Sequence, residues 1–536
     1  MATPRSVSFA AAVAIGALIL LVPAVLSGRP FIFYDTWVFY MWGHDVIAAL
    51  GHPWPVHGAF PAGRNLWASE VVSALPAVVD ETQFRLTLSA IGSRSAFYAV
   101  PVALLRWVWL AAAAQALVVS ACLEVLTRAA GLRRPAFLAI MAALTAATTL
   151  PFFTAFIMPD VFTALAIVAA GTLFFFPHAL SRIATWSLSA LIAYAVTAHT
   201  SNLLVVAAAV VVGALLIAWT TTIREGLRRA IPGGAALLAG VAMTMAGGQV
   251  LAQEFGHPIR NPPFLLARVL VDGPGLAYLE QVCPDAGYVS CELVDRQREQ
   301  KLYSEGFMWP HVGIFPFSPR HDPARREQFY AEQWRIVLGT IEHDPIGQAS
   351  ASAKNALWQL VMFKVRPEMN DALVDVLRLP LRRAGITASL TPNVDACLAG
   401  DGQGCNLTVR GWMWRYLQLW QHAVVALASL LIAYRLLPGL ASGFRQPALS
   451  RDQLFALFAC CLVVTNAVVC GVLSGPYNRY QARVVWLIPL ASMLLESCGG
   501  VLARVEIFRP VPGREPRAPD DSGRRTGGDV HPRLLA

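Results

Sequence analysis

The chain predicts an all-α polytopic membrane protein, and three observations carry that expectation. Apolar stretches of about 20 residues, the length that crosses a bilayer as a helix, recur along it. Over its 536 residues, 56% are hydrophobic and only 14% are charged, far less charge than a soluble chain of this length carries. Arginines also gather at the ends of the apolar stretches on one side, as the positive-inside rule requires.

The apolar stretches predict about ten spans, at roughly 8–27, 99–127, 135–151, 159–177, 184–198, 202–220, 233–252, 416–437, 453–474 and 483–503. The first competes with a cleaved signal peptide, because Arg5 precedes the apolar run and small residues follow it. The run is long for a signal, which favours an uncleaved helix. With the N-terminus inside, the cytoplasmic loops hold Arg128, Arg133 and Arg134, then Arg182, then Arg224, Arg228 and Arg229, then Arg445 and Arg451. The short outer turns near 151–158 and 199–201 contain no Arg or Lys. The net charge of +9 is almost wholly arginine, since only Lys301, Lys354 and Lys364 are lysines. Its position at span ends points to topology and lipid headgroups and away from nucleic acid.

This arrangement divides the chain into a seven-span module (1–252), an outer helical domain (253–415), a three-span module (416–503) and a cytoplasmic tail (504–536). The tail is rich in Pro, Arg, Gly and Asp without periodicity and reads as disordered. A long outer loop, 28–98, follows the first span. Asp322-Pro323 and Asp344-Pro345 read as N-cap and first-turn proline pairs. The stretches after them, 323–341 and 345–364, space apolar residues as amphipathic helices do, with Trp334, Ile336, Val337 and Ile341 in the first. The stretch 36–50 has the same character, with aromatics suited to the membrane interface.

Of the nine cysteines, Cys122, Cys460, Cys461, Cys470 and Cys498 lie in apolar spans as core residues. Cys283 and Cys291, and again Cys397 and Cys405, stand eight apart in outer polar segments. Equal spacing suggests two short disulfide loops in an oxidising compartment. A four-cysteine zinc site and pairing between the loops are the competing arrangements, the first disfavoured because zinc usually wants tighter spacing.

A small set of polar residues falls at one depth on the outer face. Asp35 follows the first span in Phe33-Tyr34-Asp35-Thr36-Trp37. Asp160 begins the fourth in Met158-Pro159-Asp160. His199 ends the fifth, and Arg479 and Arg483 open the last in Pro476-Tyr477-Asn478-Arg479-Tyr480-Gln481-Ala482-Arg483. Each has a plain structural account: Asp160 as a helix cap, His199 as an interfacial histidine, Asp35 as an arginine's partner. The two arginines run against the positive-inside rule and call for an anion, whether Asp35, Asp160 or a lipid phosphate. Arg106 is a further buried-charge candidate, and His44, Asp45 and His57 are polar without a clear place. No nucleotide-binding loop, HExxH, GxSxG or dinucleotide fingerprint is present, so a cytoplasmic nucleotide is not expected to drive the chemistry directly.

A many-span chain with a long first outer loop, an acid just after the first span and a second acid in the next outer loop resembles the GT-C superfamily of integral membrane glycosyltransferases. The resemblance rests on Asp35 in Phe33-Tyr34-Asp35 and Asp160 in Met158-Pro159-Asp160. Many members carry two adjacent acids in the first loop, where this chain has Asp35 and Thr36. The resemblance implies transfer of a sugar from a polyprenyl-phosphate donor to a glycan or lipid acceptor at the outer face of a bacterial-type inner membrane. It implies catalytic roles for Asp35 and Asp160. Arg479 and Arg483 resemble in kind the basic residues that hold the donor phosphate, with His199, Tyr34 and Tyr480 as candidate lining. No cofactor is required by this reading and no metal ligands are identified, although a divalent metal is compatible with it. A transporter or flippase for a lipid-linked saccharide and a non-catalytic envelope assembly protein are the alternatives; the first predicts polar residues at mid-membrane depth and an internal repeat.

Overall fold

The computed structural model describes residues 8–26, 30–31, 36–51, 94–105, 107–255, 261, 263–300, 323–365, 411–441 and 449–508. These are helical, apart from turns and one isolated parallel bridge between Phe31 and Phe156. In chain order the main helices are α1 (Phe9–Leu26), α2 (Thr36–Ala49), α3 (Ala96–Leu105), α4 (Val108–Ala129), α5 (Arg134–Ala147), α6 (Leu150–Ala155) and α7 (Val161–Phe175). They continue with α8 (Arg182–Ala198), α9 (Ser201–Thr220), α10 (Ile223–Phe255), α11 (Phe264–Asp272), α12 (Pro274–Val282), α13 (Glu292–Gln300), α14 (Pro323–His343) and α15 (Pro345–Val361). The last are α16 (Gly411–Ala441), α17 (Arg451–Leu473), α18 (Asn478–Val485) and α19 (Leu487–Gly499).

Among the described residues, seven stretches are long and apolar enough to cross a bilayer: α1, α4, α9, α10, α16, α17 and α18–α19 taken together. The all-α membrane reading therefore stands, while ten full-length spans are not reached. The expected span 99–127 is two helices, α3 and α4, separated where Trp107 turns extended. The expected span 135–151 stops at Thr148, also extended, whose hydroxyl donates to the Leu144 carbonyl at 2.7 Å. α7 and α8 have 15 and 17 residues.

α7 is the centre of the bundle. All fifteen of its residues are buried, and it packs against α4, α8, α9, α10, α17 and α18. Its sequence explains this: it is apolar on every face, and Ala164, Ala166, Ala169, Ala170 and Gly171 let neighbours approach closely. At Gly171 an added Cβ would stand 2.7 Å from the Phe455 ring of α17, so a side chain there would push the two helices apart. At the far end of α7, Phe175 meets Phe458 edge-on with centroids 5.5 Å apart, an arrangement worth about 0.5–1.5 kcal/mol beyond its area.

A second, smaller core lies in the expected outer domain, where Leu266, Leu270, Leu279, Leu293, Phe329 and Ile336 are buried together. Cys283 and Cys291 are disulfide-bonded there; Cys397 and Cys405 lie outside the described residues. The buried Glu332 carboxylate of α14 accepts from the backbone N–H groups of Val289 and Ser290 at 3.0 and 2.7 Å, fixing the turn beside the disulfide. As the sequence predicts, Asp344 caps α15 by accepting from Gly347 N at 2.8 Å; residue 322 is not among the described ones. Asp272 ties this domain to α15, accepting from Arg268 Nε at 2.9 Å and Asn355 Nδ2 at 2.8 Å. α15 in turn lies against α17, where a Cβ on Gly471 would meet the Asn355 carbonyl oxygen at 2.7 Å.

Candidate functional site

The start of α7, the end of α8, the start of α9 and the end of α17 come together at α18, and the meeting point is polar. α18 is held there by its own backbone. Thr149 Oγ1 donates to the Ala482 carbonyl at 2.6 Å and Asn466 Nδ2 to the Tyr480 carbonyl at 2.7 Å. Gln481 Nε2 donates to the Val463 carbonyl at 3.1 Å and Trp486 Nε1 to the Arg483 carbonyl at 2.9 Å. The entry to α18 is clamped from α15 and the residues that follow it. Gln359 of α15 accepts from Tyr477 N–H at 2.8 Å and donates to the Tyr477 carbonyl at 2.9 Å. Asn478 Oδ1 accepts from Lys364 N at 3.0 Å.

This framing aims Arg483 into the bundle. Its side chain has no accessible surface and meets Asp160 Oδ1 at 3.4 Å, Ser201 Oγ at 3.0 Å, Asn466 Oδ1 at 3.1 Å and Cys470 Sγ at 3.4 Å. Arg479, one turn earlier and 21% exposed, stands 3.8 Å from the same Asp160 oxygen. Both guanidinium carbons lie over the Tyr480 ring, at 5.3 and 5.4 Å from its centroid. Asp160 precedes α7 but its side chain makes no cap bond, so the plain helix-cap account of this residue does not hold. Its carboxylate, 1% exposed, serves the arginines instead. The Asp160 carboxylate faces both guanidiniums, in a setting where charge is weakly screened.

His199 closes one side. Its Nδ1 lies 2.9 Å from Ser201 Oγ, the hydroxyl that also accepts from Arg483. Desolvation, then the Arg483 charge, hold the imidazole below its ordinary value, with Asp160 acting the other way. Asn202 Oδ1 accepts from Thr163 Oγ1 at 2.6 Å and its amide donates to the Ala195 carbonyl at 2.8 Å, locking α7, α8 and α9 beneath the site.

The turn before Asp160 is engaged by the segment that follows α1. Phe31 N–H donates to the Ala155 carbonyl at 3.0 Å, and Ile157 N–H to the Phe31 carbonyl at 3.3 Å. Thr36 Oγ1 donates to the Ile157 carbonyl at 3.2 Å. Gln115 of α4 donates to the carbonyls of Thr154 and Phe156 at 2.9 and 2.7 Å and accepts from Tyr98 at 2.8 Å. Tyr34 and Asp35 lie outside the described residues, as do Arg106 and His57; His44 and Asp45 fall within α2.

Of the expected site residues, Asp160, His199, Tyr480, Arg479 and Arg483 are thus together. Ser201, Asn466, Cys470 and Gln359 belong to the same constellation and were not expected from sequence. Asn466 carried a signal, being an amide within the apolar run of α17. Among the described residues no group of three or more His, Cys, Asp or Glu gathers. Asp160 itself, with two guanidiniums on it, is a poor ligand for a divalent cation, which those charges would repel. The chain matches no protein-family model, no curated protein and no solved structure.

Proposed function

We propose that the protein is a membrane glycosyltransferase that moves a sugar from a polyprenyl-phosphate donor to an acceptor hydroxyl on a glycan or lipid, at the outer face of a bacterial-type inner membrane. The observation that carries this reading is the gathering of two guanidiniums, Arg479 and Arg483, at Asp160, with Arg479 at the accessible edge of this polar end. A phosphate is the anion whose charge grows as a glycosyl–phosphate bond breaks, and a fixed guanidinium beside it stabilises that change.

In this mechanism the acceptor oxygen bonds to the anomeric carbon as the bond from that carbon to the phosphate oxygen breaks. The hydroxyl proton passes to Asp35 as general base. The polyprenyl phosphate leaves with the bonding electron pair, its charge met by Arg479. Asp160 and Arg483 set the position of Arg479 and Tyr480, and His199 lines the site. The bond from Thr36, next to Asp35 in the chain, to the Ile157 carbonyl supports this assignment, because it draws the chain at residue 36 to the turn that leads into Asp160. No step requires a metal. The gathering of polar side chains at one end of the bundle favours an enzyme over a transporter, which would use charges at mid-depth.

The test is transfer by the purified protein in bilayer discs with synthetic polyprenyl-phosphate sugars. Wild type is expected to release polyprenyl phosphate; Asp35→Asn abolishes turnover, and Arg479→Ala lowers it about 10²–10³-fold, as loss of a charge-stabilising donor does. Full turnover in both variants would exclude the mechanism.

A further inference from the structure

At the opposite end of the bundle from Asp160, basic residues from three elements converge. His178 sits in the single turn Pro177–Ala179 that follows α7. Arg229, in the first turns of α10, donates from Nη1 to the Phe174 carbonyl at 2.8 Å, which holds it at the end of α7. Arg451 opens α17 one turn before Phe455, whose ring packs 6.2 Å from that of Phe176. Arg451 lies within electrostatic reach of Arg229, and partial desolvation, then the charges of Arg229, Arg451 and Arg228, hold the imidazole of the exposed His178 below its ordinary value.

Negative charge is scarce here. Glu225 is occupied by Arg228, at 2.7 Å through both oxygens, and by Arg229 at 2.6 Å. Asp452, beside Arg451 in sequence, lies within electrostatic reach of Cys498 on α19. Arg451 is half-buried, and among the described residues its side chain has no ion pair. A partly desolvated guanidinium beside a second one is costly, and an anion that meets it lowers that cost. The surface around the cluster is apolar and open: Ile183 and Trp186 of α8 are 79% and 76% exposed, and Leu227 of α10 is 63% exposed. These exposed apolar side chains offer a bed for acyl tails.

We propose that His178, Arg229 and Arg451 hold the phosphate of an anionic lipid headgroup, whose tails lie on α8 and α10. The site is separate from the one at Asp160 and does not depend on the glycosyltransferase reading or on which side of the membrane it faces.

Full-length protein in mild detergent is titrated with dioctanoyl phosphatidylglycerol, dioctanoyl phosphatidylcholine or inorganic phosphate, with the unfolding temperature as readout. Phosphatidylglycerol is expected to raise it saturably and phosphatidylcholine to leave it unchanged. Inorganic phosphate, without tails, is expected to act only at far higher concentration. R451Q should weaken the phosphatidylglycerol midpoint about fivefold, the worth of one cation at an anionic headgroup. H178Q, at an exposed position that leaves folding intact, should weaken it about twofold to threefold if R451Q does not fold. Unchanged midpoints in these variants, or equal stabilisation by phosphatidylcholine, would overturn the proposal. Equal potency of inorganic phosphate would overturn the lipid as its source.

Discussion

Arg483 and Asp160, 323 residues apart in sequence, face each other at 3.4 Å with essentially no accessible surface on either side chain. The pair joins the C-terminal module to the central helix of the N-terminal one. Its separation is longer than an optimal charge-assisted hydrogen bond, and Arg483 compensates with hydroxyl, amide and thiol acceptors.

Removing one partner leaves the other charge buried. Asp160→Asn is expected to lower the stability of the purified protein by about 3–5 kcal/mol. Asp160→Asn with Arg483→Met should cost clearly less than the two single changes added together, because the stranded charge is gone. Thermal unfolding in detergent of the four proteins of the cycle measures this. Strict additivity would show that the two groups do not interact.

Gln359 makes both of its hydrogen bonds to the backbone of Tyr477. Gln359→Leu strands a part-buried N–H and C=O, at a combined cost on the order of 1–3 kcal/mol. The expected result is faster amide hydrogen exchange across 476–480, with helices distant from α15 unaffected. Unchanged exchange there would mean that α15 does not hold the entry to α18.

His199 gives the fold a dependence on pH. Its imidazole is held below the ordinary value, chiefly by desolvation, with Arg483 adding to the effect. In the unfolded chain it takes up a proton near pH 6.5. Below that pH the unfolded state binds a proton that the folded state refuses, so stability is full above about pH 6.5 and falls as the solution is acidified. Unfolding temperatures at pH 7.5 and 5.5 should differ more for wild type than for His199→Asn. Equal differences would place His199 in a solvated, freely titrating setting.

The Cys283–Cys291 bond closes a loop of sequence separation 8. Chain entropy assigns such a loop about 2.5 kcal/mol. Reduction, or replacement of both cysteines by serine, is expected to raise hydrogen exchange in α12, α13 and α14 while α7 and α17 keep their protection. Loss of protection throughout the bundle would show that the two cores unfold as one.

Much of the architecture is legible locally. Asp344-Pro345 identifies the start of α15 because an acid accepting from Gly347 followed by a first-turn proline satisfies helix geometry within four residues. The equal spacing of the cysteines suggested a short disulfide loop, and the structure chose Cys283–Cys291 over pairing between the two loops. The interruptions at Trp107 and Thr148 were not legible, since an apolar run reads the same whether or not its backbone is continuous. Nor was the clamp of Gln359 on Tyr477, because a glutamine on an amphipathic helix resembles any other polar position.

Sequence by itself determined that this chain is helical and membrane-suited, because bilayer length and hydrophobicity are properties of contiguous residues. It also pointed to an anion for Arg479 and Arg483, because two arginines opening an apolar stretch carry that need wherever the stretch is placed. Which anion was a tertiary decision. Asp160 became the partner only when α18, pinned by Thr149, Asn466 and Gln359, was pressed against the start of α7. Electrostatic pairing depends on distance in space, and apolar packing around α7, from parts of the chain hundreds of residues apart, sets that distance.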